Sequence, residues 1–292
     1  MSGKIKSLLL VLLVAISLVG AGCVQQEDGT PSEEAEPVII GYPPWDDTRA
    51  NTFVLKQVLE SEGYKVETVN ANLGAVYQGV SQGDIDLFAG AWLPTTQGLY
   101  WDKYEDDLDY VKNISTGAKI GLVVPTYVTI DSIDELNENK DKFEGVIQGI
   151  EPGAGIMATT EVAIGEYNLD YVLSASSTVG MVIELQDSID NEEWMVVTLW
   201  QPHWAFSRMD LKFLEDPENV YGKGDNIVLV ARKDLSEDRP DVYEILSRYE
   251  MELSDIESIM LDLDQGLTQE EAAAKWIENN PEKVNEWLGE EL

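Results

Sequence analysis

Three apolar runs of the sequence each lead into a tryptophan that lies within two residues of a proline. The tryptophans stand in residues 43–45 (PPW), 92–94 (WLP) and 200–202 (WQP). The face of an indole ring attracts a cation, and each ring contributes roughly 0.5–2 kcal/mol when the cation is desolvated. Three such rings in one place predict a cage for a bulky, weakly hydrated cation. A tryptophan at a strand end also serves as a lid on a hydrophobic core, and the residues alone leave both uses open.

A fourth apolar run leads into a different kind of segment, residues 151–156 (EPGAGI). Its two glycines, Gly153 and Gly155, allow backbone N–H groups to converge where a helix begins, which stabilises an anion. A cage for a cation beside a seat for an anion predicts a zwitterionic ligand. His203, the only histidine, either bonds to a loop carbonyl or lies near the ligand, and both readings stay open.

Strand and helix patterns alternate along the chain, which predicts an α/β fold with largely parallel sheets. A helix is expected from Asp46 and Asp47 to just before Gly63, Thr95 and Thr96 are expected to cap a helix, and residues 241–288 are expected to be mostly helical. The predicted strands are 38–42, 66–69, 85–89, 119–124, 146–149, 171–174, 195–199 and 227–231, and further helices are 73–81, 132–143, 156–166 and 179–189. Ligands of such sheets bind beyond the carboxyl ends of the strands, where the four segments are placed.

The charge of the chain is strongly negative, with 19 Lys and Arg against 55 Asp and Glu and a net charge of −36. Repulsion excludes nucleic acid as a partner and disfavours anionic membrane surfaces. Solubility at high salt and a generic acidic extracellular protein explain this composition equally well. One histidine, one cysteine and no metal-ligand or phosphate-loop pattern predict a protein that is not an enzyme and has no cofactor or metal.

The first residues of the chain have the pattern of a targeting signal. Residues 1–22 combine a short basic start, an uncharged apolar stretch and small residues directly before Cys23. This predicts a lipoprotein signal peptide with Cys23 as the lipidated first residue of the mature protein, although a plain signal peptide followed by an accidental cysteine is the alternative. Residues 23–37 predict a flexible acidic tether, so the expected location is the extracellular face of the cell membrane, held by the lipid anchor alone.

Four longer motifs resemble the glycine betaine/proline betaine substrate-binding proteins of ABC importers (the OpuAC/ProX-like group). They are AWLPTTQGLYW (91–101), IGLVVPTYV (120–128), GIEPGAGIM (149–157) and LWQPHWAFSRMDLKFLEDPENVYG (199–222), and the resemblance covers about residues 38–288. It implies a two-lobed periplasmic-binding-protein-like (type II) fold with a hinge and a ligand cleft between the lobes. If the chain crosses the hinge near residues 118 and 226, lobe 1 is expected to comprise residues 38–118 plus 226–292, and lobe 2 is expected to comprise residues 119–225.

The resemblance also implies roles for individual residues. Trp45, Trp92 and Trp200 would form a box for a trimethylammonium group, and the backbone amides of Gly155 and Ile156 would hold the carboxylate. Relatives often carry a histidine that donates to the carboxylate after the WLPTT run. Here that position is Gln97, which can donate through its amide but carries no charge.

The expected function is capture of glycine betaine or a related betaine and delivery to an ABC permease for osmoprotection, by a monomer. Choline, carnitine or another quaternary amine is the alternative ligand. A sensor domain for the same ligand is the alternative role.

Overall fold

The structure, a computed structural model, describes residues 36–290. The expected signal peptide, Cys23 and nearly all of the expected tether lie outside the described residues. Within the described part no helix combines the length and the apolar character needed to cross a membrane.

Strands and helices alternate in the first two thirds of the described chain, and helices dominate the remainder. The strands are β1 (Val38–Tyr42), β2 (Val66–Asn70), β3 (Leu87–Leu93), β4 (Leu108–Pro125), β5 (Val146–Gln148), β6 (Val172–Ser174), β7 (Val197–Gln201), β8 (Leu211–Phe213) and β9 (Asp225–Arg232). The helices are α1 (Asp46–Ser61), α2 (Leu73–Gln82), α3 (Gly98–Tyr104), α4 (Gly155–Glu166), α5 (Thr178–Asp190), α6 (Ala205–Arg208), α7 (Leu235–Asp238), α8 (Pro240–Arg248), α9 (Leu253–Asp264), α10 (Gln269–Asn279) and α11 (Pro281–Leu288). Short 3-10 helices cover Glu105–Asp107, Ile133–Glu135 and Asn137–Phe143.

Two sheets share one long strand. The first sheet has the order β2-β1-β3-β9-β4, and the second has β4-β7-β5-β6 with β8 also paired to β4. β4 pairs with β9 through Ala118 and with β7 from Lys119 onward. The chain therefore forms two halves, one on each sheet.

The sheets are mixed rather than largely parallel, so that part of the sequence prediction is wrong. β1 with β2 and β3, and β5 with β6 and β7, are parallel pairs. The long strands β4 and β9 run antiparallel to their neighbours. The predicted parts of these strands, 119–124 and 227–231, are mostly apolar runs, and an apolar run does not reveal the direction of the strand beside it.

Local sequence accounts for several helix ends. Asn72 caps α2 by accepting from the Ala75 amide, and Gly83 ends that helix in the left-handed conformation. Ser177 caps α5 in the same way through the Gly180 amide. The predicted helix over 132–143 is instead a pair of 3-10 helices. Its three apolar residues, Ile133, Leu136 and Phe143, are buried, and their spacing fits an α-helix and a 3-10 turn alike.

Two predicted features next to the strand ends are also different. Trp92 and Trp200 lie inside β3 and β7 and do not follow them. Each is paired with a residue of the neighbouring strand, and the pairing continues for one residue beyond it. Thr95 and Thr96 do not cap α3. Its N-cap is Gln97, and the two threonine amides are bound by another side chain.

Salt is predicted to stabilise the fold. With 55 acidic and 19 basic side chains, most carboxylates have no cation to pair with, and their repulsion favours the expanded chain. Raising NaCl shortens the screening length from about 10 Å at 0.1 M to about 3 Å at 1 M, so the thermal midpoint should rise by several degrees. Scanning calorimetry over this range measures the change.

The shape of the salt dependence separates screening from other effects. Screening acts mostly below about 0.5 M, whereas exclusion of salt from the protein surface grows steadily at higher concentration. A midpoint that is flat or falls over the low range would contradict the prediction.

Candidate functional site

A small cavity of about 30 Å³ lies between the two halves. Residues of both sheets line it: Trp45, Asp47, Trp92, Thr96, Gln97, Ile120, Ile150, Ala154, Gly155, Ile156 and Trp200. Six of the seven ligand-contact residues predicted from the sequence are in this set. The seventh, His203, is not.

The three tryptophans reach the cavity from three separate segments. Trp45 is the N-cap of α1, directly after Pro43 and Pro44, while Trp92 and Trp200 stand near the carboxyl ends of β3 and β7. The peptide bonds Leu93–Pro94 and Gln201–Pro202, which follow the two strand tryptophans closely, are cis. Each of the three rings is less than a tenth exposed. All three line the cavity, together with Ile120 and Ile150.

Carboxylates hold two of the three indole rings by their N–H groups. Trp92 Nε1 donates to Asp47 Oδ2 at 3.2 Å, and Trp45 Nε1 donates to Glu151 Oε2 at 3.3 Å. A single hydrogen bond at the rim of an indole restricts its rotation and so sets where its face points. Among residues 36–290, Trp200 Nε1 is buried without a partner.

Asp47 is a residue of the cavity wall that the sequence reasoning missed. Its side chain is buried, and within the described chain its Oδ1 has no hydrogen-bond partner. The pKa of Asp47 is raised to about 7, because burial and the neighbouring charge of Asp46 raise it by more than the hydrogen bond from Trp92 lowers it. The sequence signal that could have identified it is its position two residues after Trp45, in the segment where a helix is expected to begin.

The anion seat predicted from the glycines is the first turn of α4. Gly155 and Ile156 are its first two helical residues, and their N–H groups have no acceptor inside the helix. The residue before them, Ala154, has no side chain that could cap them. The positive end of the helix dipole therefore faces the same cavity as the indole rings.

Gly155 is required by a close approach across the cavity. A Cβ added to it would stand 1.9 Å from the carbonyl oxygen of Thr96, which belongs to the other half. Its backbone has no positive φ, so conformational freedom is not the reason for glycine here. The turn after β3 and the start of α4 thus touch backbone to backbone.

Asp225 secures the turn that makes this contact. It lies at the start of β9 and accepts from the Thr95 amide at 2.7 Å and the Thr96 amide at 2.9 Å. It also accepts from the Thr96 hydroxyl. The sequence reasoning missed Asp225, because it is 130 residues away from the turn and stands in no motif that concerned a carboxylate.

Gln97 lines the cavity with its amide partly engaged elsewhere. Oε1 accepts from the hydroxyl of Tyr77 at 3.0 Å, and Nε2 lies 3.5 Å from the carbonyl of Gly90. One Nε2 hydrogen is free to donate toward the cavity.

His203 lies behind Trp200 rather than in the cavity. Its ring meets Trp200 edge to face with 4.8 Å between the ring centroids, and its Nδ1 accepts from the Ala205 amide at 3.1 Å. Burial lowers the pKa of His203 to about 3, so the ring is neutral at physiological pH. It supports the back of a cavity wall.

Comparison with known proteins agrees with this geometry. Residues 36–279 match the family described as the substrate binding domain of ABC-type glycine betaine transport systems (OpuAC). The glycine betaine/carnitine transport binding protein GbuC of Listeria monocytogenes serotype 1/2a (strain 10403S) is 40% identical over 184 residues, 61% of this chain. The match spans 61% of that relative's length.

Solved structures match over most of the chain. Lactococcal OpuAC, in its closed-liganded conformation complexed with glycine betaine, has a TM-score of 0.83 at 36% identity and covers 87% of this chain and 99% of its own. The glycine betaine/L-proline-binding protein (ProX) of Borrelia burgdorferi has a TM-score of 0.84 at 36% identity, and the match covers 86% of this chain and 96% of that protein. An ABC-transporter choline binding protein in complex with choline has a TM-score of 0.81 at 25% identity, and the match covers 87% of this chain and 91% of that protein.

These matches establish the two-lobed fold of periplasmic binding proteins with a cleft between the lobes. Because the family match covers most of the chain, including both halves and every residue of the cavity wall, the chain belongs to the OpuAC family of substrate-binding domains of ABC-type glycine betaine transport systems.

Proposed function

We propose that this protein is the extracytoplasmic substrate-binding component of an ABC importer and that it captures glycine betaine or a related betaine. The observation that carries the proposal is the composition of one cavity wall: three indole rings and the uncapped start of a helix. The role is binding and delivery, not catalysis.

The two parts of the wall match the two ends of a betaine. A trimethylammonium group has no N–H to donate and is weakly hydrated, so it loses little on leaving water, and Trp45, Trp92 and Trp200 would face it from three sides. The carboxylate would accept from the amides of Gly155 and Ile156.

The lobes that would close on the ligand are residues 38–118 plus 226–292, and 119–225. The change of partner strand along β4, between Ala118 and Lys119, supports this division. A ligand that contacts both lobes stabilises their closed arrangement, and an ABC permease would read that change of population.

Choline is the second candidate ligand, and Asp47 is the observation that favours it. Its Oδ1 is a buried acceptor with no partner in the described chain, and choline offers a hydroxyl donor where betaine offers a second acceptor. One relative in the comparison was solved with choline and another is named for carnitine. The charge of Asp47 would also balance the quaternary ammonium group of either ligand.

The proposed setting rests on the N-terminal sequence. Cleavage before Cys23 and its lipidation would anchor a monomer at the extracellular face of the cell membrane, next to its permease. A sensor that binds the same ligand without transport would share the site and differ in its partner.

Purified protein is predicted to bind glycine betaine with a change in tryptophan fluorescence, because three of its eight tryptophans line the cavity. Titration calorimetry with glycine betaine, proline betaine, choline and carnitine ranks the four ligands by affinity. Trp92→Ala should weaken the best ligand by at least about tenfold through loss of one cation–π wall and its shape.

Trp101→Ala is the matched control, because Trp101 packs edge to face on Tyr110 outside the cavity wall. It should leave affinity unchanged. Absence of any response to all four compounds would refute the proposal, and unchanged affinity in Trp92→Ala would remove Trp92 from the cage.

Gly155→Ala is predicted to abolish tight binding. The new Cβ would meet the Thr96 carbonyl at 1.9 Å, so the two halves must separate and the ligand loses the contacts of one wall. We expect at least a hundredfold loss of affinity, roughly 3 kcal/mol, by calorimetry.

Gly165→Ala controls for the loss of glycine in the same helix. It would meet no atom within 4 Å, so both affinity and folding should be retained. Parental affinity in Gly155→Ala would show that the close approach is not needed for binding.

Asp47→Asn is predicted to stabilise the ligand-free protein at alkaline pH. The pKa of Asp47 is 3.8 in the reference state and about 7 in the fold, so between about pH 4 and pH 7 the folded protein retains a proton that the unfolded chain has lost. The free energy of unfolding therefore falls as pH rises through this window, by roughly 4 kcal/mol at most. The asparagine variant lacks this loss, and urea unfolding at pH 4 and pH 8 measures the difference.

The same substitution should weaken binding of the ligand, and the affinity of the parent should rise between pH 6 and pH 8 as Asp47 ionises beside the cation. Asp84→Asn, which removes an equal charge from an exposed position, controls for net charge. Equal pH slopes of stability in Asp47→Asn and the parent would contradict the assignment.

A further inference from the structure

We propose that Glu151 is a positioning residue that holds the cage ring of Trp45 in place from the opposite side of the cleft. The inference rests on the proposed function and extends it to a residue outside the cavity wall. Trp45 Nε1 donates to Glu151 Oε2 at 3.3 Å, and 106 residues separate the two in the chain. Trp45 follows β1 of the first sheet, and Glu151 follows β5 of the second.

The carboxylate of Glu151 is itself held rigidly. Its Oε1 accepts from the Thr178 amide at 2.9 Å, and its Oε2 accepts from the Thr178 hydroxyl at 2.9 Å. Thr178 is the first residue of α5, a helix of 13 residues. The positive end of this helix attracts the negative charge of the carboxylate, and a charged acceptor makes a stronger hydrogen bond with the indole N–H.

The position of Glu151 links the two ends of the proposed ligand site. Four residues after Glu151 the chain enters α4, whose first amides form the anion seat. The backbone carbonyl of Glu151 also accepts from the Ala154 amide at 3.2 Å, which keeps this loop compact. Glu151 therefore fixes the distance between one aromatic wall and the carboxylate seat, although neither of its oxygens needs to touch the ligand.

This hydrogen bond exists only when the two halves approach each other. In the open cleft the indole of Trp45 would lose its partner and its ring would be free to turn. Closure would then order a wall of the cage in the same step that encloses the ligand, so loss of Glu151 should mainly speed ligand release.

A second bond across the cleft supplies a matched control. The hydroxyl of Tyr100 donates to the Gly153 carbonyl at 2.8 Å, in the same loop as Glu151, but Tyr100 is not a wall of the cavity. Tyr100→Phe removes a bond between the halves and leaves the cage rings untouched.

The test is a double-mutant cycle between Glu151→Ala and Trp45→Phe, because phenylalanine keeps an aromatic face and lacks the N–H. Affinity is measured by calorimetry, and release by stopped-flow fluorescence, with glycine betaine and choline as the ligands. In the parent background Glu151→Ala should speed release by about tenfold, the size expected for a lost hydrogen bond to a charged group. In the Trp45→Phe background it should change release by less than about twofold.

Other outcomes overturn the inference. A tenfold effect that persists in the Trp45→Phe background would mean that Glu151 acts through α5 or through closure alone. The Tyr100→Phe effect should be equal in both backgrounds, and coupling of Tyr100 to Trp45 as large as that of Glu151 would deny Glu151 a particular role.

Two further measurements keep the test decisive. If Glu151→Ala does not unfold cooperatively, Glu151→Gln replaces it in the cycle, since it keeps the side-chain volume and has one acceptor oxygen. Coupling of at least about threefold is then expected, and additive effects overturn the inference. A parent protein that binds neither ligand would refute the proposed function itself, whereas a binding parent with an additive cycle refutes only the role of Glu151.

Discussion

The close contact between the Thr96 carbonyl and the α-carbon of Gly155 is the constraint on which the site depends. It brings a turn of the first half against the first turn of a helix in the second half. At this separation the indole rings of Trp45, Trp92 and Trp200 border one cavity together with the helix amides. Asp225 reinforces the contact because it binds two consecutive amides of the same turn and so holds the carbonyl in place.

Negative charge has two different uses in this molecule. The net charge of −36 is spread over the surface and concerns solubility and repulsion. Asp47 and Glu151 instead place carboxylates against the N–H edges of two of the indole rings that line the cavity. An acceptor at the edge of an indole orients the ring, and a negative charge close to these rings would favour a cation between them.

Asp47 and Glu151 differ in how fully they are satisfied. Glu151 accepts from three donors, two of them at the start of α5, which is a stable environment for a charge. Asp47 is buried with one oxygen that lacks a partner in the described chain, and its pKa is raised accordingly. A group kept at a cost to stability beside a cavity is typical of a functional site, and here a cationic ligand would relieve that cost.

The sequence by itself determined the local pieces. Local patterns were sufficient to identify the rings and amides that line the cavity. They are the apolar runs that lead into Trp45, Trp92 and Trp200 and the glycines at the start of α4, and each of them lies within a few residues of a strand end. The resemblance of four motifs added Gln97, which lies in the cavity wall, and the two-lobed fold. The comparisons confirm the fold. Only the tertiary structure decided the strand directions of β4 and β9, the placement of His203 behind Trp200, and the partners Asp47, Glu151 and Asp225. The physical reason is that these carboxylates act on groups 45 to 130 residues away, and in a chain with 55 acidic residues no local pattern distinguishes the few that fold against an indole or an amide.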